Sequence, residues 1–390
     1  MALKRIACLL MILILPVSAA AEDGISFNAK SVILTEASTG KTLFESNSHE
    51  SLPPASVTKI MTMLLIMEAI DRGEISYDTV VTASERAKSM GGSTIFLDTN
   101  EKMSVEDLLK GIAVASGNDA CVAMAEHLCG SEEAFAAKMN ERAAQLGMKD
   151  THFVNCNGLD APGHFTSAYD IALMSRELMR HKDIFKFTTI WMDSLRGGKF
   201  SLANTMDSLR NGSFGLSNTN KLIRFYSGAN GLKTGSTSVA GCCISAAAKR
   251  GEMQLIAVVL GAPTSKERFA AASNLLNYGF ANYGVTQFGE KGSEIRSVAV
   301  ESGKSGSVMA VAKESSSALL QKSQIKKAKI HINLPKKVKA PVKKGSALGE
   351  IIITLDGETI SRTDIVASHS VGKKDCADYM FGFFRRMVLA

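Results

Sequence analysis

No stretch of this 390-residue chain reaches the roughly twenty consecutive apolar residues needed to cross a hydrocarbon core. It also lacks a Gly-x-Ser-x-Gly elbow, so His152, His164 and Asp160 read as loop residues and not as partners of a serine-histidine-aspartate triad. Gly40-Lys41-Thr42 falls short of a phosphate loop, because the upstream glycine would fall at Thr35; it reads as a turn. His127, Cys121 and Cys129 have no second paired cluster, which excludes a zinc site of the usual spacing. No internal repeat and no long low-complexity linker is present. No metal and no cofactor is expected.

What is there begins with a leader. Lys4 and Arg5 precede the apolar run Ile6 to Val17, and Ser18-Ala19-Ala20-Ala21 ends it in small residues. That order predicts a signal peptide over residues 1–21, cleaved near Ala21, and hence an exported protein. Cys8 lies early in the apolar run, which argues against a lipoprotein anchor. The six later cysteines, Cys121, Cys129, Cys156, Cys242, Cys243 and Cys376, mostly fall in apolar runs and read as buried free thiols.

Charge is unevenly spread. The chain carries a formal +7, yet residues 291–390 alone hold 18 Lys/Arg against 9 Asp/Glu. The basic surplus sits at one end, which points to an anionic surface met there and not to nucleic-acid binding.

Strand-turn-strand patterning at 31–45 is followed by Pro53 and Pro54, then by a nearly continuous apolar helix from Val57 to Ile70. Helical patterning continues at about 104–128, opening on Ser104 and Asp107, at about 132–146 and from near Tyr169. Two apolar runs, Ala240 to Ala248 and Met253 to Leu260, flank a polar turn and predict an antiparallel hairpin that Lys233-Thr234-Gly235 leads into. A helix near Lys266 to Tyr278 follows. This predicts a mixed α/β domain over 24–285, helices packed on an antiparallel sheet. Short strands at Val298–Val300, Ser307–Ala312, Lys329–Asn333 and Glu350–Thr354 predict a smaller all-β domain over 286–366. From 371 to 390, Tyr379, Met380, Phe383, Phe384, Met387 and Val388 recur on one helical face beside Lys373, Lys374, Arg385 and Arg386. That predicts an amphipathic helix lying in an anionic membrane surface.

A serine becomes a useful nucleophile only when a base takes its proton, and a helix sets residues i and i+3 side by side. Ser-x-x-Lys is the shortest such motif. It occurs at Ser38, Ser56, Ser323 and Ser370, but only Ser56 opens a long apolar helix after a proline break. Ser56 is therefore the expected nucleophile and Lys59 its base. Ser116-Gly117-Asn118 lies between two helical runs, supplying a hydroxyl to relay a proton and an amide to hold a carbonyl. Lys233-Thr234-Gly235 offers a cation, a hydroxyl and a glycine beside which a substrate can approach.

These three motifs, in this order, together resemble those of penicillin-binding proteins and class A β-lactamases. The phrase Pro54-Ala55-Ser56-Val57-Thr58-Lys59, and the loop Asn157-Gly158-Leu159-Asp160 with Gly163-His164, are similar to those of the serine D-alanyl-D-alanine carboxypeptidases. The resemblance spans the whole chain. One departure is Asn230, where the family often has an aspartate before the glycine matched by Gly231. The resemblance implies the penicillin-binding/serine β-lactamase-like fold and release of the terminal D-alanine from peptidoglycan stem peptides through an acyl-enzyme on Ser56, blocked by β-lactam antibiotics. It further implies that the amides of Ser56 and Ser236 form the oxyanion hole, and that Ser116 passes a proton to the leaving D-alanine. Asn118 would position the peptide, while Lys233, Thr234 and Arg268 would receive its terminal carboxylate beside Gly235. Ser236 stands where some relatives have histidine. The alternatives are a D,D-endopeptidase and a class A-like β-lactamase. The latter needs a glutamate to activate the deacylating water, and the loop from Asn155 to His164 has none.

Overall fold

The computed structural model describes residues 27–195 and 214–380. The leader and all but the start of the terminal helix expected over 371–390 lie outside the described residues. A five-stranded sheet organises the first part of the chain. Its strands run Thr42–Ser46, Ser31–Glu36, Met253–Ala262, Gly241–Arg250 and Ala229–Thr237 in spatial order, every neighbour antiparallel. Side chains alternate between the two faces of a strand. Val32, Leu34, Leu255, Ala257 and Val259 therefore join one apolar cluster with Ala271, Leu275 and Leu276 of the helix Ser265–Asn282. Ile33, Ile256, Val258 and Leu260 face the other way, into a larger cluster with the remaining helices. Both faces are covered, which is why Ser31–Glu36 is buried along its whole length. The antiparallel sheet with helices on it is the fold class the patterning predicted.

The helix Lys59–Asp71 is the hub of that second cluster. It is apolar around most of its circumference, with Ile60, Met61, Met63, Leu64, Leu65, Ile66 and Met67 all buried; a helix with no polar face belongs in an interior. The helical patterning over 104–128 resolves into two helices, Val105–Lys110 and Asn118–Cys129. Ser104 caps the first, its Oγ accepting the Asp107 amide at 3.1 Å. A single wide turn, Gly111–Ala115, then leads to Ser116, whose φ of 64° and ψ of 34° are left-handed and end the ladder. Lys233-Thr234-Gly235 does more than lead into a hairpin: it sits within a full edge strand, Ala229–Thr237, paired with Gly241–Arg250.

The C-terminal part is all β. Strands Glu294–Glu301, Ser307–Ala312, Ala347–Leu355 and Glu358–Ala367 form the body of a six-stranded sheet, with Lys329–Asn333 at one edge and Lys337–Lys339 at the other. Tyr283–Gly289 pairs with Ser316–Gln321 and runs across the residue 285/286 division expected from composition. Its first residue, Tyr283, packs in the cluster beneath the Ser265–Asn282 helix. Val371 also differs from expectation. It pairs with Val342 and is buried in the β core, so helix begins only after it, at residues 376–380.

Candidate active site

Pro54 and the short turn Ala55–Thr58 deliver Ser56 to the start of the Lys59–Asp71 helix. Ala55 has a φ of 49°, a strained value for a residue with a side chain. The strain is held by close packing on both sides. A Cβ on Gly158 would lie 1.9 Å from the Ala55 carbonyl oxygen, and one on Gly235 would lie 2.6 Å from the Ser56 nitrogen. Only glycine allows the 155–166 loop and the edge strand to approach the serine this closely. Ser56 itself stays partly exposed while Lys59 is fully buried.

Lys59 Nζ lies 2.9 Å from Ser56 Oγ, 2.6 Å from Asn118 Oδ1 and 2.6 Å from the Asn157 carbonyl oxygen. A neutral amine has two N–H bonds and one lone pair. As an ammonium Lys59 donates to all three oxygens; as a neutral amine it would give its two N–H bonds to Asn118 and Asn157 and turn its lone pair to the hydroxyl hydrogen of Ser56. Burial pushes Lys59 below its ordinary value, opposed by the neighbouring Cys121, Cys156 and Asp119. Burial therefore moves Lys59 toward the neutral form that a proton acceptor needs.

The second motif reaches this centre from the break between two helices. Ser116 is buried in its left-handed conformation, and Asn118 holds Lys59 through Oδ1 while its Nδ2 donates to the Gly91 carbonyl at 2.7 Å. Asp119 fixes the same loop, its carboxylate accepting the amides of Ile95 and Leu97 at 3.0 Å. Asn118 thus links Lys59 to the Gly91 segment.

The third motif sits on the edge strand. Lys233 is buried and donates to the Thr234 carbonyl at 2.9 Å; burial pushes it well down, and the nearby Arg268 guanidinium acts in the same direction. Thr234 Oγ1 donates to Thr219 Oγ1 at 2.7 Å. Gly235 makes the close approach to Ser56 described above, and Ser236 beside it is exposed. Arg268 comes from the Ser265–Asn282 helix. Its Nη1 donates to the Gly235 carbonyl at 3.1 Å and its Nη2 to Ser265 Oγ at 3.0 Å, whereas its buried Nε has no partner among the described residues. Lys59, Asn118 and Gly235 thus meet at Ser56, Lys233, Thr234 and Ser236 share the edge strand with Gly235, Arg268 joins through its bond to Gly235, and Ser116 lies two residues before Asn118.

Sequence reasoning missed what surrounds them. The Asn157 carbonyl is a backbone group and carries no residue signature. Thr219 has no motif of its own. His164 is buried against Thr58, between nucleophile and base, with Nε2 2.8 Å from Thr58 Oγ1. Its Nδ1 accepts the Val154 amide at 3.0 Å, which places the proton on Nε2, and Thr58 Oγ1 donates onward to the Ala55 carbonyl at 2.9 Å. Burial, aided by His152, lowers His164 to about 4, so it stays neutral. Its partner is Thr58 and not Ser56, which keeps it in a bracing role.

Residues 17–264 match the family model described as D-alanyl-D-alanine carboxypeptidase, and residues 283–373 match that of the penicillin-binding protein 5 C-terminal domain. The chain is 43% identical over 385 residues to the D-alanyl-D-alanine carboxypeptidase DacF of Bacillus subtilis, covering 95% of both chains. It is 33% identical over 387 residues to DacC of Escherichia coli, covering 97% of this chain and 92% of that one. Among solved structures it is similar to penicillin binding protein 5 of Haemophilus influenzae, with a TM-score of 0.71, 32% identity, and coverage of 90% and 99%. The ampicillin-bound penicillin-binding protein D2 of Listeria monocytogenes gives a TM-score of 0.57 at 29% identity, over 66% of this chain and all of that one. Neither the endopeptidase nor the β-lactamase alternative is favoured by these relatives. The chain belongs to the D-alanyl-D-alanine carboxypeptidase family, and its activity is that of a serine-type D-alanyl-D-alanine carboxypeptidase.

Proposed function

We propose that Ser56 attacks the carbonyl of the penultimate D-alanine of a peptidoglycan stem peptide while neutral Lys59 takes its proton. The amides of Ser56 and Ser236 hold the developing oxyanion, Ser116 carries the proton to the departing D-alanine, and Asn118 aligns the peptide. Lys233, Thr234 and Arg268 receive the terminal carboxylate beside Gly235. An arriving carboxylate favours the charged form of Lys233, offsetting the burial that disfavours it. Water then frees the shortened peptide. The observation that carries this reading is the Lys59 amine with two backbone or amide acceptors and the Ser56 hydroxyl 2.9 Å away. In the intact enzyme, Ser56→Ala should lose both D-alanine release and the mass increment left by benzylpenicillin. An increment that persists, or maps to Ser323 or Ser370, would sink the assignment.

The protein acts outside the cytoplasm, in the periplasm or on the outer face of the cytoplasmic membrane, as the leader at 1–21 suggests. The domain division runs close to the patterning: a catalytic domain through the Ser265–Asn282 helix, a β domain from Tyr283 to Val371 and a surface helix after it. Among the described residues no helix is long and apolar enough to cross a membrane. Support for a surface helix comes from its start. Asp375 and Asp378 cap each other's amides at 3.0 and 2.9 Å, and Lys304 pairs with both at 3.0 and 3.2 Å, tying the helix to the β domain. Tyr379 and Met380 are exposed immediately after. Removing residues 375–390, which spares the core residue Val371, should abolish flotation with anionic vesicles and leave release of D-alanine from a soluble peptide unchanged. Continued flotation would place the anchor elsewhere.

A further inference from the structure

Lys59 depends on the Asn157 carbonyl, and that carbonyl needs a reason to stay where it is. We propose that Glu132 is a positioning residue for the general base, holding the 156–157 peptide so that the Asn157 carbonyl meets Lys59. This rests on the assignment of Lys59 as the base. Glu132 opens the helix Glu132–Leu146 and is 8% exposed. Its Oε1 accepts from Asn157 Nδ2 at 3.1 Å, from Cys156 Sγ at 3.3 Å and from the Cys156 amide at 3.4 Å. Its Oε2 takes Arg86 Nη2 at 3.1 Å. On the other side, Thr62 Oγ1, from the helix that carries Lys59, donates to the Cys156 carbonyl at 2.5 Å. The two-residue segment is thus gripped from both sides, and its remaining carbonyl points at Lys59 Nζ, 2.6 Å away.

The chemistry of the grip is specific. A carboxylate is an acceptor only, so a single oxygen can take several donors from one loop. The Cys156 thiol is one of those donors because burial pushes it well up and keeps it protonated. Removing the carboxylate leaves these buried donors unsatisfied and frees the peptide to turn. Lys59 would then lose one of the two acceptors that fix its lone pair on Ser56. Glu132 lies outside the 155–164 loop, which is why inspection of that loop for a glutamate finds none.

The test uses the full-length enzyme and its acylation by benzylpenicillin. Glu132→Leu removes the acceptor at similar volume, and Glu132→Gln keeps an acceptor oxygen without the charge. A displacement of a reacting group by about 1 Å typically costs on the order of 10²-fold. Glu132→Leu should slow acylation by about that factor with the peptide KM within about threefold of wild type, and Glu132→Gln should restore most of the rate. Should the Leu variant fail to fold, Asn157→Ala decides the matter: it keeps the carbonyl, removes the tether, and should be slowed comparably. Native-rate acylation by a folded Leu variant, or by Asn157→Ala, overturns the proposal, as does a Gln variant no faster than Leu. A wild-type enzyme that is not acylated at Ser56 would instead defeat the assignment on which the proposal rests.

Discussion

Lysine plays opposite parts at the two ends of this molecule. In the catalytic domain Lys59 and Lys233 are almost wholly buried, and burial drives both toward the neutral amine. In the β domain Lys304, Lys313 and Lys337 are exposed, each beside a carboxylate that raises its value and keeps it charged. The residue type is the same and the solvent differs. Water and a carboxylate make lysine a cation that solubilises a surface or meets an anionic one; a dry pocket moves it toward the neutral amine. The chain exposes its basic surplus at one end and buries two lysines at the other.

The sharpest way to break that contrast is Lys59→Arg. Guanidinium keeps the charge but cannot give up a proton in a protein, so acylation by benzylpenicillin should fall by several orders of magnitude, as loss of one member of a catalytic unit does. A variant acylated at near-native rate would mean that Lys59 contributes only charge or packing.

Next come the two glycines that press on the nucleophile. Gly158→Ala puts a Cβ 1.9 Å from the Ala55 carbonyl at a φ of 88°, so both backbone strain and collision oppose it. Unfolding should be easier by about 1–3 kcal/mol, and acylation should drop on the order of 10²-fold as Ser56 shifts. Gly235→Ala, with its Cβ 2.6 Å from the Ser56 nitrogen, should act the same way through the edge strand. Stopped-flow acylation and urea unfolding measure the two effects separately.

His164 gives a smaller effect with a defined sign. Its value of about 4 lies below the 6.5 of an unperturbed imidazole, so between those values the unfolded chain binds a proton that the native one refuses. Its contribution is therefore present above about 6.5 and lost as pH falls toward 4, amounting to about 3 kcal/mol over the window and about 2 kcal/mol by pH 5. Urea titrations at pH 7.5 and pH 5 should show that slope in the wild type and its loss in His164→Gln. The smallest effect belongs to the exposed lysines. Lys313→Ala and Lys337→Ala should leave the unfolding midpoint and D-alanine release indistinguishable from wild type, because exposed pairs in water contribute little.

What could be read from the residues, and what could not, divides along physical lines. Ser56, Lys59, Ser116, Asn118 and Lys233 could be singled out because Ser-x-x-Lys sets two side chains on one helical face and the three motifs together resemble those of a known family. The Val57–Ile70 helix was legible because it is apolar on every side, and the 253–260 strand because its run is bounded by turns. The Asn157 carbonyl was not, since a backbone acceptor looks alike at every residue. Glu132 escaped because its partners lie 24 and 25 residues away across a fold. Strands such as Ser316–Gln321 and Glu358–Ala367 escaped because their mixed polar sequences carry a weak period. Val371 was assigned to the terminal helix by proximity in sequence, yet its apolar side chain completes the β core.

The account turns on Lys59 being a base in its resting state. The pH dependence of the second-order rate constant for benzylpenicillin acylation of the wild-type enzyme tests this directly. The rate should rise along an acid limb whose midpoint lies clearly below the 10.5 of an ordinary lysine, and should be on its plateau before that value is reached. A rate that climbs only around 10.5 would show a lysine that burial has not neutralised, and would contradict the central claim.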